Sequence, residues 1–180
     1  DEAQITLTEI GDTAIGNPYI ELISEDGTIY HCKPTTNKRL VIVPVEPDII
    51  LAADNNNYKL SINNNGELII SNSTLTENTA PWGGGAIYNS GGELTINKST
   101  LQGNTAQRHG GAIHNSGELT ITESTLTENT AQGDGGAIRN IEGELTITES
   151  TLQGNTAKVS GGAICNRDGE LTITESTLTE

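Results

Sequence analysis

The sequence predicts an all-β fold, a right-handed parallel β-helix of about 25–26-residue coils. Three observations carry that prediction. Gly-Gly-Ala-Ile begins at Gly84, Gly110, Gly135 and Gly161, at spacings of 26, 25 and 26 residues. A fixed period of this size marks stacked structural units. Each unit contains an alternating run such as Glu118 to Glu123, in which Leu119 and Ile121 face one way and Thr120 and Thr122 the other. No segment sustains a helical apolar spacing, which argues against a helical solenoid.

Taken in order, one coil shows three strand signals. Ala112 to Asn115 is the first, Glu118 to Glu123 the second and Thr125 to Thr127 the third. Turn signals separate them at Ser116-Gly117, at Glu128-Asn129 and at Gly110-Gly111. Each strand is expected to pair with its equivalent one coil on, roughly 4.8 Å away. Identical residues then stack in columns. Leu68, Leu94, Leu119, Leu145 and Leu171 form one apolar column; Ile87, Ile113, Ile138 and Ile164 form another. Leu75, Leu101, Leu126, Leu152 and Leu178 form a third, and Ala80, Ala106, Ala131 and Ala157 fill a narrow corner. Asn78, Asn104, Asn129 and Asn155 form an amide ladder, each side chain able to bond the next. Right-handedness follows from the chirality of parallel β crossovers.

Residues 1–58 leave the repeat and read as a β-rich N-terminal cap or imperfect coils; residues 59–180 are the β-helix, with an incomplete last coil. Tyr19 to Ile23 and Thr28 to Cys32 flank an Asp26-Gly27 turn and predict a hairpin. Leu40 to Val45 is a further strand, which Pro44 and Pro47 restrict to an edge or a strand end. Ile49 to Ala52 is a short apolar run. The sequence opens at Asp1, which reads as a processed chain or an excerpt.

Composition fits this architecture. Apolar residues make up 33% of 180, with no Phe, no Met and one Trp, too little bulk for an ordinary globule. A solenoid needs less, because each coil buries a thin core against its neighbours. A net charge of −15 with nine Lys and Arg argues against nucleic acid and anionic membranes as partners. No apolar run is long enough for membrane insertion by a helix. Cys32 and Cys165 are too few for a disulfide scaffold, though a disulfide between subunits is compatible with their separation. The triplets at Asn72 and Asn97 fit the glycosylation pattern by chance in an Asn- and Thr-rich chain.

Gly-Gly-Ala-Ile followed by Leu-x-x-Asn resembles the repeats of the chlamydial polymorphic outer-membrane proteins, GGA-[ILV] and FxxN. The likeness covers about residues 75 to 180, with Leu75, Leu101, Leu126 and Leu152 where the family has Phe. It implies an extracellular or cell-surface β-helix of adhesin type; the family's C-terminal translocation barrel has no counterpart in this sequence.

Three functional readings follow. The leading one is a non-enzymatic structural or adhesive surface protein with cell-surface or polysaccharide partners and no cofactor. Its ends suggest head-to-tail self-association into filaments, through Ile5 and Leu7 at one end and Leu171, Ile173 and Leu178 at the other. The basis is the likeness of Gln4 to Glu9 to the internal Ser124 to Glu128 junction. The second reading is ice binding by an outward T-x-T array. Its residues are Thr120/Thr122, Thr146/Thr148 and Thr172/Thr174, with Thr95 one coil earlier. The third is a polysaccharide-active enzyme using the variable column Tyr88, His114, Arg139, Cys165 and the nearby Arg108, His109, Asp134 and Asp168. Against that third reading, His109 and His114 read as ordinary surface residues. The columns Glu67, Glu93, Glu118, Glu144, Glu170 and Glu123, Glu149, Glu175 offer oxygen donors that could bind Ca²⁺, or splay into water.

Overall fold

A computed structural model describes residues 67–180 throughout, and before them the backbone of six strands. These are β1 (Leu7–Asp12), β2 (Tyr19–Ile23), β3 (Ile29–Cys32), β4 (Thr36–Ile42), β5 (Ile49–Ala52) and β6 (Leu60–Asn64). From residue 67 on, the chain winds through four sheets, one strand per sheet per coil. Sheet A takes Glu67–Ser71, Glu93–Asn97, Glu118–Thr122, Glu144–Thr148 and Glu170–Thr174. Sheet C takes the strands that begin at Ser73, Thr100, Thr125, Thr151 and Thr177. Sheet D is a row of two-residue Thr-Ala strands, and sheet B takes those beginning at Ile87, Ile113, Ile138 and Ile164. The coil therefore has four strands where the sequence showed three. The fourth is Thr105–Ala106 and its equivalents, too short for periodicity to reveal.

Pairing between coils is parallel and in register. Leu94 faces Leu119, Leu119 faces Leu145 and Leu145 faces Leu171. The Ile column of sheet B and the Leu column of sheet C keep the same register. Every Leu and Ile of these columns from Leu68 to Leu152 is wholly buried. Each contributes on the order of 2 kcal/mol by leaving water.

Before the solenoid the direction of pairing changes. β4 and β5 run parallel to sheets A and C, whereas β1 pairs antiparallel with β4, and β2 pairs antiparallel with both β3 and β6. The β2–β3 register, Ile20 with Cys32 and Ile23 with Ile29, is that of the expected hairpin. Its turn residues, 24–28, lie outside the described residues. β4 starts earlier than expected and ends at Ile42, before Pro44. It lies between β1 and Glu67–Ser71, so it is an inner strand, and Pro44 marks its end rather than an edge.

Buried polar columns fix the corners. Asn78 Nδ2 donates to Asn104 Oδ1 at 3.0 Å, Asn104 to Asn129 at 3.0 Å and Asn129 to Asn155 at 2.9 Å. Each Oδ1 also accepts the backbone N–H of the preceding Asn. A second ladder runs through Asn89, Asn115, Asn140 and Asn166, with amide contacts of 2.6, 2.6 and 2.7 Å. Serine forms a third column, in which the N–H of Ser99 bonds Ser124 Oγ and that of Ser124 bonds Ser150 Oγ. A turn that faces the core has no water to satisfy it, so these short side chains complete its hydrogen bonds.

Candidate binding seam

The coils share their core columns and differ most in side-chain chemistry along one lateral corner; the turn from sheet B to sheet A also varies, through Ser90-Gly91-Gly92, Ser116-Gly117, Ile141-Glu142-Gly143 and Arg167-Asp168-Gly169. The lateral corner is the turn that leaves sheet D and enters sheet B. Successive coils place there Pro81-Trp82-Gly83, Gln107-Arg108-His109, Gln132-Gly133-Asp134 and Lys158-Val159-Ser160. Backbone bonds hold these turns in register: His109 N–H to Trp82 O at 3.2 Å, Gln132 N–H to Ala106 O and Val159 N–H to Gly133 O, both at 3.1 Å. The following glycine fixes the path. Gly110 has φ of 63°, and a Cβ there would sit 2.1 Å from the Ile113 carbonyl oxygen. Constant glycines thus set the backbone, and the residues before them differ from coil to coil, with Gly83 and Gly133 where a side chain would meet the neighbouring turn.

The outward column of sheet B, Tyr88, His114, Arg139 and Cys165, lies beside this turn. Tyr88 and His114 stack with centroids 4.6 Å apart and planes 2° from parallel. The Arg108 guanidinium lies 4.3 Å from the Trp82 ring centroid, a cation–π contact, and Trp82 remains 63% exposed. His109 Nδ1 accepts the Asp134 N–H at 3.1 Å and lies 3.3 Å from Asp134 Oδ2. An accepting Nδ1 requires the neutral ring, so its ion pair with Asp134 forms only on protonation. Burial holds the His109 pKa below its ordinary value, with Arg139 acting the same way against Asp134. The neutral tautomer is the one the backbone bond selects, and it leaves Nε2–H as a donor. Gly133 makes this arrangement possible: a Cβ there would lie 2.6 Å from His109 Nδ1.

His114 is only 7% exposed. Burial first, then the charge of Arg139 and His109, pushes its pKa down to about 4. Its Nδ1 and the Arg139 Nε are buried without a hydrogen bond. Arg139 reaches Asp134 Oδ2 at 3.9 Å, beyond hydrogen-bonding distance.

The structure corrects the reading of His114 as a surface group. His109 is partly buried, and His114 is covered by Tyr88 on its ring face and by Gly83 beside Nδ1. His109, Asp134 and Arg139 come together, with Arg108 stacked on Trp82 next to them. Asp168 instead pairs with Arg167 at 3.5 Å, both largely exposed. Cys165 is a free, half-buried thiol; the Cys32 side chain lies outside the described residues.

Other expected residues are spread differently. Thr95, Thr120, Thr122, Thr146 and Thr148 are half-buried on the outer face of sheet A, with Thr172 and Thr174 exposed on its last strand. Threonine columns also run through sheet C, as Thr74, Thr100, Thr125, Thr151 and Thr177, and through sheet D, as Thr79, Thr105, Thr130 and Thr156. The T-x-T array is therefore one of several threonine rows around the girth. The Glu column of sheet A is in register from Glu67 to Glu170, while Glu123, Glu149 and Glu175 occupy left-handed corners with φ of 47°, 50° and 50°. Among the described residues no group of three or more acidic, His or Cys side chains is placed to hold a metal ion. Leu171, Ile173 and Leu178 are 39%, 39% and 43% exposed on the last strands of sheets A and C. Ile5 lies outside the described residues. Leu7 begins β1, an outermost strand of sheet A that is antiparallel to its neighbour. An end-to-end join through β1 would thus be antiparallel, unlike the parallel continuation that the sequence likeness suggested.

Two features escaped the sequence reading. The second asparagine ladder is visible in the repeat as the Asn two places after each Ile, yet nothing distinguishes it there from a turn residue. Trp82 is the chain's one Trp, in the same variable slot as Arg108 and Val159, and that coincidence was its signal.

Residues 72–90, 98–116, 123–140 and 149–167 match the Chlamydia polymorphic membrane protein repeat. Residues 72–167 belong to that family. Each polymorphic membrane protein repeat runs through sheets C and D, the seam turn and sheet B. The central sheet A strands, Glu93–Asn97, Glu118–Thr122 and Glu144–Thr148, fall between the matched segments. The seam therefore lies inside the family repeat and the T-x-T array outside it. The Leu column that replaces the family's Phe is wholly buried from Leu75 to Leu152. No curated protein and no solved structure matched the chain.

Proposed function

We propose that the chain is a non-enzymatic structural and adhesive protein of the cell surface, in which the β-helix is a stiff carrier and the seam is the contact surface. The observation that carries this reading is the contrast within each coil. The repeat holds its apolar, asparagine and serine columns constant and varies most in side-chain chemistry at one corner, where it gathers an indole, two guanidinium groups and an imidazole. Of five Lys and Arg between residues 67 and 180, Arg108, Arg139 and Lys158 belong to this corner. Membership in a family of Chlamydia membrane proteins supports the surface location. The chemistry of the seam favours binding over turnover. A glycosidase commonly needs two carboxyl groups within about 5–10 Å, whereas the seam turns supply Asp134 alone, which lies within 4 Å of His109 and Arg139. His114, one imidazole of the enzymatic reading, is buried and stacked against Tyr88 of the adjacent coil.

The test is binding of the fluorescently labelled chain to cultured epithelial cells, read by flow cytometry. Saturable binding that unlabelled chain displaces is expected. Signal no higher than that of an unrelated acidic β-solenoid would overturn the proposal.

A further inference from the structure

We infer that the seam recognises an anionic saccharide, a short oligosaccharide carrying isolated acid groups between neutral sugar rings. The inference rests on the seam being the contact surface and names what it takes.

Arg139 supplies the first argument. Its side chain is only 13% exposed, its Nε is buried without a hydrogen bond, and Asp134 Oδ2 lies 3.9 Å from that Nε. A guanidinium carries five donors in a planar fork, and leaving the buried Nε–H unbonded costs free energy. A planar acid group from outside would complete the fork with two parallel bonds. Trp82 supplies the second argument. An indole that is 63% exposed beside a stacked guanidinium offers a flat apolar surface with donors at its edge. The C–H face of a pyranose ring fits such a surface, and its hydroxyls can meet Arg108. His109 Nε2–H and the partly exposed Asp134 add a donor and an acceptor between the two anchors.

Spacing sets the size of the ligand. Trp82 and Arg139 belong to coils two steps apart, on the order of 10 Å along the stack. A ligand touching both is longer than a monosaccharide. Charge sets its density. A chain of net charge −15 repels a polyanion at long range, while the local cations attract one acid group at short range. Sparse carboxylates suit this field better than dense sulfation does.

Isothermal titration calorimetry at moderate salt tests the inference with four probes. They are a hyaluronan tetrasaccharide, its carboxyl-reduced neutral counterpart, a heparin tetrasaccharide and sodium sulfate alone. The hyaluronan fragment should bind at least about tenfold more tightly than the neutral one, and more tightly than the heparin fragment. Arg139→Gln should remove the difference between acidic and neutral ligands. Trp82→Ala should weaken both by about fivefold, consistent with the loss of one stacking contact. Arg108→Gln, at an exposed position, provides a second variant should Arg139→Gln not fold. Equal binding of the acidic and neutral fragments would overturn the inference, as would unchanged binding by the Arg139→Gln and Arg108→Gln variants. Sulfate competing as well as the tetrasaccharide would reduce the site to an adventitious ion only. Tighter binding of heparin would reject the sparse-charge ligand. If the chain binds cells but none of these saccharides, the inference fails while the adhesive reading stands.

Discussion

The interior columns and the lateral seam are built on the same backbone and obey opposite rules. In the interior, Leu119 is repeated by Leu145 and Asn129 by Asn155, and each copy completes the bonds of the one before it. At the seam, Trp82, Arg108, Gly133 and Val159 succeed one another at a single position. A stacked core tolerates no change because each residue has its own kind as neighbour. The seam tolerates change because constant glycines, not its side chains, set its shape. The difference teaches where to look in a repeat protein: identity records folding, and departure from identity records what the molecule contacts.

The strongest way to break this contrast is to remove one rung of the interior. Asn129→Ala deletes the Nδ2 bonds to Asn155 Oδ1 and the Leu101 carbonyl, strands the buried Asn104 backbone N–H, and leaves the Asn104 amide only its bond to the Leu75 carbonyl. A loss of about 3–5 kcal/mol is expected, above the cost of one exposed bond because several polar groups are orphaned at once. Urea unfolding measures it, and a loss below about 1 kcal/mol would show that the ladder is dispensable.

The histidine beneath Tyr88 gives the next effect. Its folded pKa, about 4, lies below the ordinary histidine value of 6.5, so the unfolded chain binds the proton more readily. Stability should therefore fall as pH drops from about 6.5 to about 4 and gain no further slope from this group below that. The full loss is on the order of 3 kcal/mol. His109, also lowered, adds in the same direction. His114→Gln should flatten the profile in this window; an unchanged slope would place the titration elsewhere.

Smaller effects sharpen the boundary between the two regions. Glu149 holds φ of 50° at an exposed corner, in a column with Glu123 and Glu175. Glu149→Asn keeps a residue that tolerates this conformation and removes a like charge, so stability should rise by roughly 0.5–1 kcal/mol. Thermal unfolding would register the gain, and a decrease would mean the carboxylate is bound to something. Trp82→Ala should change stability by less than about 0.5 kcal/mol in the same assay, because the indole is mostly exposed.

Much of the fold was legible in the sequence because a repeat states its own register. Once Gly84, Gly110, Gly135 and Gly161 are aligned, Leu119 must meet Leu145, and the pairing follows. The two-residue strand at Thr105–Ala106 was not legible, since a strand that short has no period. The site was legible only in part. His114 and Arg139 stood out as departures from the repeat, but their sequence position says nothing of the Tyr88 stack that covers the imidazole. His109 and Asp134 meet across 25 residues only because the coil closes over that length. The antiparallel course of β1 was hidden for a related reason: its residues resemble a repeat strand, and likeness of side chains does not record chain direction.

The most direct test of the separation is one protein with the seam erased and the interior kept. A variant carrying Trp82→Ala, Arg108→Gln and Arg139→Gln should retain its circular dichroism spectrum and its unfolding midpoint to within about 1 kcal/mol. The same preparation should lose binding to epithelial cells in flow cytometry. Undiminished cell binding by this folded variant would contradict the account and move the contact surface to another face of the solenoid.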